Sequence, residues 1–396
     1  MYKTWLLGFG FFSIALAWGL YNAFVPLFLH HFIQSATLIG FLMTLDNYIA
    51  LFLQPYIGNR SDRTNTRFGK RMPYLIIGMP LAAVFISLIP LHTSLFTLII
   101  FMLAMNLSMA IFRSPTVALM PDITPEANRT KANGIINFMG GVGSVIAFLI
   151  GSLLFNIHRS VPFITAGIII LISFTIVFSA IKEKRDTITY TKTTKEKIHY
   201  REELNVSTIF LLTAIFFWFV AYQGMEAFFT LYGVHELGLS EAQAAFLLTF
   251  FAGSFLIFAL PSGWLGARFG KKAVIFTGVI GLGLIFLTMH FITSLTAWRV
   301  ILIIGGMFWA FININSYPFV VSTGSQKAIG TRTGLYYLIS SLAAITSPPL
   351  FGQIIDLTDF SILFIVSSIS MLLALISLSF VKGEKSKHQS KQTFPS

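Results

Sequence analysis

Cysteine is absent from all 396 residues, which excludes disulfides, thiolate metal clusters and thiol nucleophiles. Charge is scarce as well: 11% of the residues are charged, against about 25% in an average soluble domain, and 55% are hydrophobic. A chain of that composition has too little polar surface to fold in water. Acid is scarcer than base, with 15 Asp and Glu facing 27 Lys and Arg, a net charge of +12. In a soluble protein that excess would suggest a nucleic-acid partner, because basic patches neutralise phosphates. Its distribution says otherwise, since all the Lys and Arg except Arg159 and Arg299 fall on one side of the membrane layout set out below. The excess is an orientation signal of the positive-inside kind, and nucleic acid is excluded as a partner. Other chemistry is missing too. No phosphate-cradling glycine loop or nucleophile elbow occurs. His30, His31, His92, His158, His235 and His290 fall at the outer ends of apolar runs, with no pair at metal-ligand spacing beside a carboxylate. The expectation is a protein that is not an enzyme and that holds no metal or cofactor.

What is abundant is apolar sequence, in runs long enough to cross a core of ~30 Å at about 1.5 Å per residue. The runs fall at roughly 5–29, 36–58, 73–92, 95–120, 132–157, 160–182, 208–234, 242–266, 272–294, 297–323, 331–356 and 358–381. The first begins like a signal peptide, with Lys3 and the step Ala15-Leu16-Ala17, but its apolarity continues to Leu29 and it reads as a span. Twelve spans predict an all-α membrane protein with both termini on one face. The basic loops Arg60 to Arg71, Lys182 to Arg201 and Arg268 to Lys272, with the tail from Lys382, make that face cytoplasmic. The expected location is the cell membrane, multi-pass. Residues 183–207 are polar and lack helical periodicity. They divide the chain into a six-helix bundle over 1–182, a cytoplasmic linker, a second bundle over 208–381 and a tail over 382–396.

The halves repeat each other. Ser35 and Phe41-Leu42-Met43-Thr44 match Ser240 and Phe246-Leu247-Leu248-Thr249, at an offset of 240 − 35 = 205. Arg67-Phe68-Gly69-Lys70 returns as Arg268-Phe269-Gly270-Lys271, and Pro115 with Arg129-Thr130 returns as Pro318 with Arg332-Thr333. Matches in one order at nearly constant offset argue for duplication into two pseudo-symmetric bundles. A solute site then belongs at their interface, near mid-membrane.

After the second run comes Gly58, then Asp62-Arg63, Arg67, Gly69, Lys70 and Arg71. Asp62, at a helix end among arginines, can accept charge-assisted hydrogen bonds that break when the halves separate, so the segment reads as a cytoplasmic gating latch. The copy at Gly266 to Lys272 lacks the aspartate. This loop resembles the signature of the major facilitator superfamily. Gln54-Pro55, Gly58, Ser61-Asp62 and Arg67-Phe68-Gly69-Lys70-Arg71 with Pro73 are similar to a narrower pattern, that of the plant sucrose carriers and their animal and bacterial relatives. Ala118-Leu119-Met120-Pro121-Asp122-Ile123-Thr124, followed by Arg129 and Ala132-Asn133, resembles the same group. The resemblance implies proton-driven uptake of a sugar, often a disaccharide or glycoside. The basic residue of the sucrose carriers' fourth span aligns with Val117, one turn from Arg113. The aspartate pair that holds sodium in melibiose-type symporters has Ala50 and Gln54 in its place.

Charges inside spans mark function, because each costs a few kcal/mol at the midplane unless paired or wetted. Asp46 in the second span and Glu226 in the seventh are the expected proton carriers, since a desolvated carboxylate can load a proton on one side and release it on the other. Arg113 in the fourth span is placed to pair with Asp46 or to grip a substrate hydroxyl. Sugar recognition also needs an aromatic face and nearby amides. Trp18 with Asn22, Trp218 with Gln223, and Trp309 with Asn313 lie mid-span in the first, seventh and tenth runs and complete the expected substrate site. Pro348-Pro349 predicts a kink in the eleventh span. The sequence therefore reads as a secondary transporter working by alternating access. Its partners are a small solute, a proton and the bilayer, and it acts as a monomer. The alternative is a proton-coupled exporter of drugs or lipophilic metabolites, whose greasy pocket the 42 Phe would line.

Overall fold

The computed structural model describes residues 2–125, 128–183, 205–323 and 329–381. Among these, twelve helical stretches are long and apolar enough to span a membrane. In the first half they are α1 (Tyr2–His30), α2 (Ala36–Met43) with α3 (Leu45–Arg63) as one span, α4 (Met72–Leu88), α5 (Leu95–Ile123), α6 (Arg129–Phe155) and α7 (Val161–Ala180). In the second they are α8 (Val206–His235), α9 (Glu241–Phe269), α10 (Lys271–Met289), α11 (Leu295–Ser322), α12 (Ile329–Leu357) and α13 (Leu363–Ser379). Most of the expected linker and all of the expected tail over 382–396 lie outside the described residues.

The duplicated residues carry duplicated roles. Ser35 and Ser240 are both N-caps, accepting from the N–H three residues on, at Leu38 and Gln243, and so satisfy a donor that the first turn leaves open. Arg129 and Arg332, at the starts of α6 and α12, both donate to carbonyls near the end of the preceding helix, Pro121 at 3.5 Å and Val320 at 3.2 Å. A cation beside terminal carbonyls is favoured by the helix dipole as well as by the hydrogen bond. One departure from the sequence reading lies in the second span, which is not a continuous helix. Thr44 interrupts it, with Oγ1 donating to the Phe41 carbonyl at 2.8 Å, so Asp46 falls in the first turn of a new helix.

Helices pack mainly within two groups, α1–α7 and α8–α13, and the groups are joined by extensive packing of α2 on α12 and of α6 on α9, with α1 on α8. In α1, 78% of the most apolar stretch is buried, the largest share of any span described, because α1 packs on α5, α6 and α7 and also on α8 across the interface. Large apolar side chains on the outer surface, such as Ile168, Ile257 and Leu260, are exposed, as lipid contact requires.

The joints between halves cluster at the end away from the basic loops. Asp356 of α12 accepts four hydrogen bonds there, from Ser35 Oγ, the Ala36 and Thr37 N–H groups and Thr37 Oγ1, at 2.6–3.0 Å. His31 meets Glu241 at 3.1 Å, and the His30 and His235 rings lie 4.5 Å apart. Below that clamp, Gly40 leaves no room for a Cβ against the Pro348 carbonyl, and Gly352 none against the Ala36 backbone. Small residues let helix backbones approach this closely in a membrane. At the basic end, Gly134, Gly330 and Gly334 face open space. The polar contacts and close backbone approaches between the halves thus close the end away from the basic loops. Gly40→Val is expected to wedge the closed end apart. Spin-label distances between cysteines introduced at Leu38 and Leu357, which leave the clamp intact, would measure this, and a distribution equal to that of the same pair with Gly40 intact would contradict it.

Candidate functional site

The site residues come from helices that line the space between the halves. Asn22 of α1 and Glu226 of α8 meet across the interface, the amide donating to the carboxylate at 3.3 Å. Tyr222 precedes Glu226 by one turn on the same helix, close enough for the two side chains to interact electrostatically. The Tyr222 ring lies flat on Trp309 of α11, centroids 4.2 Å apart and planes 2° from parallel, and Phe219 closes on the Trp309 edge at 5.8 Å. Asp46 accepts from Asn47 Nδ2 at 3.0 Å and feels the charges of both Arg113 and Glu226. Arg113 is exposed, yet its electrostatic partners are Asp46 and Tyr337, the latter from the other half. A side chain addressed by both halves faces the central space, not lipid. Tyr337 is 58% exposed.

Asp46, Glu226, Asn22 and Arg113 therefore share one region. The tryptophans divide differently. Trp218 has no exposed surface, and its Nε1 has no hydrogen-bond partner, so in this conformation it is a packing residue and lines no cavity. Trp309 is 3% exposed and its face is covered by Tyr222, so it offers no free stacking surface either. Trp18 is half-buried with its ring edge on Tyr21 at 5.3 Å and an unpartnered Nε1. Gln223 and Asn313 are half-buried. The sequence reading passed over Tyr21, Tyr222, Tyr337 and Asp356. Tyr222 alone carried a signal, its spacing of one turn from Glu226. Among the described residues, no three His, Asp or Glu side chains form a group able to hold a metal.

At the basic end Arg71 is the hub. Its guanidinium pairs with Asp62 and Ser61 Oγ and donates to Asp122 at 3.1 Å. Gly69, at φ 110°, turns the loop so that the Lys70, Arg71 and Met72 N–H groups all donate to the Glu183 carboxylate, Met72 at 2.7 Å. Arg63 and Arg67 are exposed. The expected latch is thus formed inside one half, joining α3, α4 and α5 where a link between halves was expected. Gly58 completes it, with its carbonyl 3.5 Å from Arg71 and its Cα side against Ser114. Arg71→Gln leaves the mostly buried Asp122 without its cation, a loss of about 3 kcal/mol for a buried partner. A clearly lower melting temperature in detergent would register it, and an unchanged one would refute the role.

A family model of the Major Facilitator Superfamily matches residues 7–240 and 234–395. A class D tetracycline resistance protein of Salmonella ordonez is 26% identical over 87% of either chain. A class H tetracycline resistance protein of Pasteurella multocida is 26% identical over 66% of either chain, just under two thirds of that relative's length. Multidrug resistance protein 1 of Bacillus subtilis is 20% identical over 86% of either chain. Among solved structures, a bacterial homologue of the lysosomal transporter Spinster, inward-facing and occupied, superposes with a TM-score of 0.74 at 14% identity. It covers 96% of this chain and 95% of that one. A point mutant of the nucleoside transporter NupG superposes with a TM-score of 0.76 at 15% identity, covering 96% of this chain and 100% of that one. At these identities the structural likeness speaks to fold, and the family match carries the assignment: this multi-pass membrane protein belongs to the Major Facilitator Superfamily of transporters.

Proposed function

We propose that the protein is a proton-coupled secondary transporter that imports a neutral hydroxylated solute, a sugar, by alternating access between its two halves. The observation that carries the coupling is the Asn22–Glu226 hydrogen bond, which joins the halves through a titratable group. As a carboxylate, Glu226 only accepts, taking the Asn22 amide as donor. As an acid it gains an O–H donor that needs an acceptor and loses the negative charge that strengthens the bond from Asn22. The charge state of one side chain thereby sets what the contact between halves is worth. Asp46 and Arg113, one in the broken second span and one in the fourth, supply a second charge that responds to Glu226 and a fork of donors for solute hydroxyls. By the positive-inside rule the basic end faces the cytoplasm. The sugar assignment rests on the pattern from Gln54 to Asn133 and on the polar lining of amide, phenol and guanidinium.

The second reading, export of drugs in exchange for protons, is favoured by relatives that are tetracycline and multidrug resistance proteins. A competition panel separates the two. With the protein in proteoliposomes, mono-, di- and trisaccharides should displace a bound reporter sugar while lipophilic cations do not. The opposite ranking would replace import by export.

A further inference from the structure

The basic end holds a cavity of about 230 Å³ that shares no lining residue with the Asp46, Arg113 and Glu226 region. It lies where α4 begins and α7 ends, so it opens at the depth at which the spans leave the membrane. Arg67, Phe68, Phe178, Lys182 and Glu183 line it, together with Met72 and Ile181. Each cation lies on a ring, Arg67 at 4.6 Å from the Phe68 centroid and Lys182 at 5.1 Å from that of Phe178, and the two rings are themselves 6.0 Å apart. The acid beside them, Glu183, is committed to the three backbone N–H groups at the start of α4. Among the described residues no ion pair joins Arg67 or Lys182 to a carboxylate, and Lys182 Nζ donates to the Phe178 carbonyl at 3.3 Å, so two exposed cations share an aromatic-walled cavity with the single Glu183 carboxylate, a net positive site. Outward along α7, Phe174 stacks on Phe178 at 5.6 Å, and Leu171, Ile172 and Ile168 continue as exposed apolar surface.

We propose that this cavity binds the headgroup of an anionic phospholipid from the leaflet at the basic face. The phosphate sits between Arg67 and Lys182, and an acyl chain lies along the Phe174–Ile168 face of α7. Two cations set on rings offer a phosphate charge and donors at once. The apolar track leading away from them distinguishes a lipid from a free anion. Anionic leaflets attract such clusters by about 1 kcal/mol for each Lys or Arg, so two together give a preference for anionic over zwitterionic lipid of roughly thirty-fold.

Native mass spectrometry of the full chain, titrated with phosphatidylglycerol or phosphatidylcholine, measures that preference directly. Arg67→Gln with Lys182→Gln should cut it by roughly ten-fold or more, and because both side chains are exposed the variant keeps its melting temperature. Arg268→Gln with Lys271→Gln, in the repeat loop of the other half, is the control and should leave the preference unchanged. An equal loss in the control would reduce the effect to general surface charge and overturn the site, as would an unchanged preference in the double variant. Soluble glycerol phosphate, titrated alone, should not bind measurably. Binding as tight as that of the lipid would make the cavity a free-anion site and overturn the lipid assignment.

Discussion

Glu226→Gln transports by exchange but does not accumulate. Glutamine keeps the shape of the side chain, accepts from Asn22 through its carbonyl and can still meet Tyr222, so the cavity survives. What it loses is the exchangeable proton. A pH step of one unit is worth about 1.4 kcal/mol per proton, so one-to-one coupling sustains roughly ten-fold accumulation of cargo. In the variant that ratio falls to one, while cargo-for-cargo exchange across the membrane continues. Asp46→Asn behaves in the same way if both carboxylates take part in the cycle. If it retains gradient-driven accumulation, coupling belongs to Glu226 alone. Loss of exchange together with accumulation would instead mean that the substituted carboxylate holds the cargo or the fold.

Asp356→Ala releases the closed end. The carboxylate sits at the N-terminus of α2, where N–H groups point outward and the helix dipole favours an anion, and it draws four donors of the other half onto one group. A hydrogen bond to a charged group contributes about 1.5–3 kcal/mol when sheltered. Asp356 is exposed, and four donors share it, so about 2 kcal/mol for the whole clamp is a fair scale, shifting the balance between conformations roughly thirty-fold. Because the chain contains no cysteine, Leu38→Cys and Leu357→Cys provide two unique labelling positions, both exposed, on either side of the clamp. Spin-label distances between them should lengthen in Asp356→Ala. An unchanged distribution would mean that the Gly40–Pro348 and Gly352–Ala36 contacts hold the end shut without the carboxylate.

Much of this architecture was legible in the sequence. Apolar length located the spans, and the offset between halves paired Ser35 with Ser240 and Arg129 with Arg332, whose shared roles as caps and as donors to carbonyls only the structure shows. Charges inside spans pointed to Asp46, Arg113 and Glu226, because a membrane leaves such groups few places to go. The partners were not legible. Nothing local to Ser35 indicates an aspartate 321 residues away, and Arg71 gave no sign that it would choose Asp122 and Asp62 while Arg63 and Arg67 stay exposed. The tryptophans failed for a different reason. In a soluble helix the apolar face is the buried face, but lipid is as apolar as a protein core, so periodicity does not separate the face of Trp218 that packs from one that lines a cavity. The Thr44 break was hidden as well, since it depends on a single side-chain bond to the Phe41 carbonyl.

The most direct test of proton coupling through the Asn22–Glu226 contact is the proton itself. Lightly buffered proteoliposomes without an imposed gradient are given the cargo selected by the competition panel, and external pH is followed. Coupled entry of cargo and protons raises external pH, and the rise is absent in Glu226→Gln although exchange persists. Cargo entry with no pH change in the unmodified protein, or an undiminished change in the variant, would contradict coupling at this contact.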